Sequence, residues 1–208
     1  MSLFDRVVLL ATGLTAIYLL WRLYGRYRKT GAQHDIFYML GFGVLLIAGL
    51  LLIAFTYAAL SSPLVVIVAV LIPSGIALGL VSQFLPRYDK AYQLFAVIGF
   101  LAVAVTRLAN MGGLATAVLI VVHGVAGLLI VAAPIYAIQR GLTRGAFVSV
   151  SVGGALIGLG GVALAFLKTG RQLLFFSADF VFAILAPLLL LMTLAFTYGF
   201  VRDIMRTR

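Results

Sequence analysis

The sequence contains neither cysteine nor glutamate, and charge of either sign is scarce. Without cysteine there is no disulfide framework, no thiol nucleophile and no iron–sulfur ligand set. Without glutamate there is no glutamate–histidine cluster for a di-metal site and no HExxH zinc motif. Only two histidines occur, His34 at a segment edge and His123 deep in an apolar run, so a bis-histidine haem at one level is not offered. These absences predict no metal and no cofactor. Charged residues make up 10% of the chain, against about 25% in soluble domains.

Apolar residues fill the space that charge leaves. They account for 64% of the 208 residues and recur in long runs along the whole chain. Removing those runs leaves no soluble domain of useful size. Residues 1–208 therefore read as one all-α, polytopic integral membrane domain. The net charge of +10 does not point to nucleic acid. The basic residues flank apolar segments, where they sit at lipid headgroups and set orientation. The lipid bilayer is the partner this implies.

Seven segments have the length of a bilayer-spanning helix, about 20 residues each. They lie near 6–24, 36–60, 63–85, 91–109, 114–138, 146–167 and 173–200. The run from 36 to 85 is too long for one crossing, and Ser61-Ser62-Pro63 breaks it. If 91–109 does not span, the bundle has six helices. Eleven of the fifteen Lys and Arg fall in one set of loops, around 22–29, 87–90, 140–144 and 202–208. The other set holds Arg6, Arg107, Lys168 and Arg171. This bias predicts a cytoplasmic C-terminus and an outside N-terminus. The first segment carries its positive charge after the apolar run and lacks a small-residue cleavage site, so it reads as an uncleaved helix.

Helices 1–3 and 5–7 can be laid over each other at an offset near 114, which places Gly31 on Gly145 and Pro73 on Pro187. That pattern would make a 3+1+3 parallel repeat; similar composition in two apolar units would also produce it. Gly75 and Gly79, and Gly154 and Gly158, form small-xxx-small patterns that let helix backbones approach. Their plainest use is packing within the bundle. A homo-oligomer or a membrane partner subunit is the sharper one. Pro73, Pro134 and Pro187 sit inside spans, where each removes a backbone hydrogen bond and makes a static kink or a hinge.

Five acids are present, all aspartates, and only Asp179 lies inside an apolar run, "LLFFSADFVFAILAPLLLLMTLAF". A charge facing lipid is costly, so Asp179 is expected to face the bundle together with Thr193 and Thr197. Arg107, Lys168 and His123 are its expected partners, which places a polar site in the outer half. An ion pair that merely holds helices together satisfies the same pattern. Ser177, His123 and Asp179 do not make a compelling hydrolase triad, and the chain does not read as an enzyme.

Seven helices with an outside N-terminus resemble the microbial rhodopsin architecture. That family carries an aspartate four residues before its retinal lysine. Here the aspartate would be Asp179, but position 183 is alanine, so no Schiff base can form there. Two parallel three-helix units also resemble the SWEET sugar transporters, whose proline–glutamine loop motif is absent. The expected function is a transporter or channel-like facilitator of a small solute or ion. The alternative is a non-catalytic membrane subunit or a seven-helix sensor.

Overall fold

The computed structural model describes residues 1–168 and 177–206, and these contain helices and no strand. Helix α1 covers Leu3–Thr30. Ser2 starts it with a capping box. Its hydroxyl accepts from the Asp5 N–H at 3.1 Å, and the Asp5 carboxylate accepts from the Ser2 N–H at 2.8 Å. Gly31 ends it in the left-handed region, φ 64°, where an L side chain is disfavoured.

Helix α2 covers Gln33–Phe55 and runs into a 3-10 turn over Thr56–Ser61. Pro63 then opens α3, Pro63–Ala69, because a missing N–H costs nothing at the first helical position. Helix α4 covers Leu71–Phe84. The third span is thus two helices interrupted at Val70. Pro73 has no N–H to give the Ala69 carbonyl and its ring crowds that carbonyl, which is the physical reason for the interruption.

Helix α5, Asp89–Leu108, is the 91–109 segment; α6 covers Gly112–Gln139, α7 Val148–Lys168 and α8 Ala178–Arg206. Among the described residues six helices are long and apolar enough to cross a membrane, the one containing α5 among them. The seventh apolar stretch, Gly145–Gly161, is shorter. Its helix α7 has 21 residues, or about 32 Å at 1.5 Å per residue. The molecule is a helical membrane bundle of seven columns, and the third column is the broken pair α3–α4.

Six columns close into a ring. Helix α1 packs on α2, α2 on α4, α4 on α6, α6 on α7, α7 on α8, and α8 on α1. Helix α5 stays outside the ring against α3, α4 and α6. Exchanging α1, α2 and α3–α4 for α6, α7 and α8 maps this order of neighbours onto itself. A parallel pair of three-helix units around a linker helix has that property. The register differs from the sequence alignment at one point. The partner of Gly31 in conformation is Gly141, φ 67°, which follows α6 as Gly31 follows α1. Gly145 lies in a 3-10 turn instead.

The outer surface is apolar. On α1 the exposed residues Leu3, Val7, Leu10, Leu14, Ile17 and Trp21 form one stripe, and the buried set Leu9, Thr12, Ala16, Leu19, Leu23 and Arg26 forms the opposite one. A soluble helix shows the reverse distribution.

The start of α8 corrects one expectation. Ser177 is outside the helix, and its hydroxyl accepts from the Phe180 N–H at 3.2 Å. It is therefore the N-cap, and Asp179 is the second residue of α8, not the seventh of a helix starting at 173. An acid is favoured in a first turn, where the helix dipole is positive.

Candidate functional site

The bundle has two distinct ends. The α1–α2 turn, the α4–α5 connection, the α6–α7 connection and the end of α8 share one of them, which we call the basic end. Six side chains meet there, five from those places and Tyr38 from the first turns of α2. Arg26 Nε donates to Asp35 Oδ1 at 2.8 Å, and Arg26 Nη1 donates to Asp203 Oδ2 at 3.0 Å. Gln83 Nε2 donates to Asp203 Oδ2 at 3.0 Å, and Thr143 Oγ1 donates to Asp203 Oδ1 at 2.8 Å. The Tyr38 hydroxyl donates to Gln83 Oε1 at 2.8 Å. Arg26 and Asp203 are 5% exposed and Asp35 is 0% exposed, so this is an interior network and not a surface one. The forked guanidinium is suited to it, since it holds two carboxylates at once. His34 Nε2 stands 3.9 Å from Asp35 Oδ1.

Directly beneath lies a layer of aromatic rings. Phe200 of α8 touches Tyr38 and Phe42 of α2 and Phe147 of the 3-10 turn Gly145–Phe147, with ring centroids 4.5, 5.6 and 5.4 Å apart. Phe196 meets Phe42 at 5.6 Å, and Phe84 meets Phe147 at 5.4 Å. All six rings are buried. Ions above and rings below form a plug across the basic end of the ring.

On the other side of the plug the ring lines a cavity of about 180 Å³. It begins one turn beyond the aromatic layer, at Leu45 and Met192, and extends to Ala59 and Leu60. Every ring column contributes to its lining and α5 contributes nothing. The walls are apolar, with two polar side chains among the described lining residues, Thr12 and His123. Thr12 already donates its hydroxyl proton to the Val8 carbonyl at 2.9 Å. Nδ1 of His123 is buried and has no hydrogen-bond partner among the described residues.

The residues singled out from the sequence are dispersed. His123 and Pro73 line the cavity. Thr193 is fully buried and donates to the Leu189 carbonyl at 2.7 Å. Thr197 is buried, and its hydroxyl has no partner among the described residues. Arg107 lies in the last turn of α5, outside the ring, and its Nε is buried without a partner among them. The side chains of Asp179 and Lys168, and the whole of Arg171, lie outside the described residues. Helices α6 and α8 are continuous through Pro134 and Pro187. A Cβ on Gly75 would stand 2.8 Å from the Gly41 nitrogen, and one on Gly79 would fall within the Tyr38 ring. A Cβ on Gly154 would meet Ile130, whereas nothing lies within 4 Å of one on Gly158.

Sequence reasoning passed over Arg26, Asp35, Gln83, Thr143 and Asp203, because each lies at a segment end where charge is ordinary. A signal was there. Asp35 and Asp203 are acids placed among the densest basic residues of a chain with five acids in all. No family model, curated protein or solved structure matches the chain.

Proposed function

We propose that this protein is a seven-helix binding protein for a small apolar molecule drawn from the membrane, of the sensor or carrier kind. The observation behind this reading is the cavity. Six helices from both halves of the chain converge on it, and among the described lining residues almost nothing could replace water around an ion. A hydrated solute would lose its shell there without compensation. That moves the reading away from the polar pathway expected from Asp179 and towards an apolar ligand. An apolar cavity of about 150 Å³ stays dry and takes up benzene or xenon. The charge bias of the loops orients the plugged end to the cytoplasm and the N-terminus outside.

Xenon binding to the protein in lipid nanodiscs, followed by 129Xe NMR and competed with benzene, tests the proposal. Saturable binding is expected in the native protein, with loss in Ala48→Phe, which fills the space. No saturable binding overturns it. Proton or potassium flux in proteoliposomes would overturn it in favour of an ion pathway.

A further inference from the structure

The cavity wall carries one polar group that has no partner among the described residues. A neutral imidazole has one donor and one acceptor nitrogen. His123 Nδ1 is buried with no partner among the described residues. The Nε2 edge of the ring lies beside Gly161, another lining residue. A Cβ there would come within 3.3 Å of Nε2. Without a side chain at 161 the imidazole packs closely against that backbone, and both residues line the cavity. Thr12, the other polar lining residue, has its proton engaged. A buried polar group without a partner is unfavourable, and native proteins hold few of them. A leucine at 123 would pack the same wall without that penalty.

We infer that the ligand of this cavity is an apolar molecule with a single hydrogen-bonding group, a hydroxyl or a carbonyl, and that the His123 imidazole is the group that receives it. This rests on the reading of the cavity as an apolar binding site. The ligand class is that of phenols, long-chain alcohols and quinone-like ketones. Fully apolar molecules and ions are the classes it disfavours. His123 has the role of fixing orientation, as the few polar groups of an apolar pocket do.

Benzene and phenol are the matched probes, since they differ by one hydroxyl. The sequence has two histidines, so the imidazole 15N resonances are assigned with one His34→Gln variant. Phenol is expected to bind about two- to tenfold more tightly than benzene, the worth of one neutral hydrogen bond, and to shift the His123 resonances while leaving those of His34 in place. In His123→Leu, benzene binding should persist and the phenol preference should vanish. Benzene binding without a phenol preference, or a preference that survives His123→Leu, overturns the inference and leaves the apolar site standing. Binding of neither probe overturns both. If His123→Leu does not fold, the 15N shift in the native protein decides alone, and an unshifted His123 resonance on phenol binding refutes the assignment.

Discussion

Arg26 shows how much one residue can hold. It lies one turn from the end of α1 and touches carboxylates of α2 and α8 at once. Removing it leaves two buried carboxylates facing each other, and losing one member of a buried pair costs about 3–5 kcal/mol. Arg26→Leu should therefore lower the thermal unfolding temperature sharply in detergent. Arg28→Leu, two residues on and exposed, should stay within about 0.5 kcal/mol of the native protein. Equal effects from the two would mean that the network does not hold the basic end. Asp179 makes the opposite point. Its position in an apolar run suggests a deep acid, yet Ser177 ends the preceding chain and makes it a first-turn residue. A helix start is set by a hydroxyl meeting a free N–H, and an average over apolar neighbours does not register it.

Among the elements, the α2–α4 pair depends most on what is missing. Gly41 and Gly75 let the two backbones touch, and the Tyr38 ring packs against the bare backbone at Gly79. A methyl at Gly75 would force the helices apart, a form of overpacking that costs about 1–3 kcal/mol. Gly158→Ala meets no neighbour and should be neutral or gain up to about 1 kcal/mol of helix propensity. Thermal unfolding of Gly75→Ala and Gly158→Ala should thus move in opposite directions or in one case not at all. A larger loss for Gly158→Ala would refute the packing described for α7. Pro73 acts through its own element, since the span breaks at Val70. The prolines of α6 and α8 leave their helices continuous. At the basic end, tyrosine–arginine pairs one turn apart recur on three helices, at Tyr18 and Arg22, Tyr24 and Arg28, Tyr136 and Arg140, and Tyr198 and Arg202. Amphipathic rings and long cations of this kind belong at headgroup level.

The whole molecule is a ring closed at one end. Its odd number of columns separates the termini. Asp203 meets the α1–α2 turn, while the N-terminal Met1 packs on the cluster of Leu9, Leu52, Ala59 and Ala186 at the other end. Reporter fusions should therefore place the 22–35 loop and the C-terminus on one side and the N-terminus on the other, with the former two in the cytoplasm if positive charge decides. Termini on the same side would refute the seven-column reading. A C-terminus outside would refute the orientation alone. Because the plug joins α1, α2, α4, α8 and the α6–α7 connection, the cavity and the basic end are mechanically adjacent. Met192 lines the cavity one turn from Phe196 of the plug.

The sequence alone determined the class, the approximate places of the apolar columns and the loops that share an end. Those follow from hydropathy, charge bias and the positions of proline and glycine, which act locally and are summed along the chain. It did not determine which polar residues matter. Arg26, Asp35, Gln83, Thr143 and Asp203 are brought together by ring closure, over separations of up to 177 positions between Arg26 and Asp203; the two acids set among basic residues mark an end where pairing can occur, but nothing local names the partners. His123 was visible as a polar residue in mid-span, but whether it faced a partner, lipid or a void was decided by the helices around it. Polarity is a property of the residue, whereas satisfaction is a property of its neighbours, and only tertiary structure supplies neighbours.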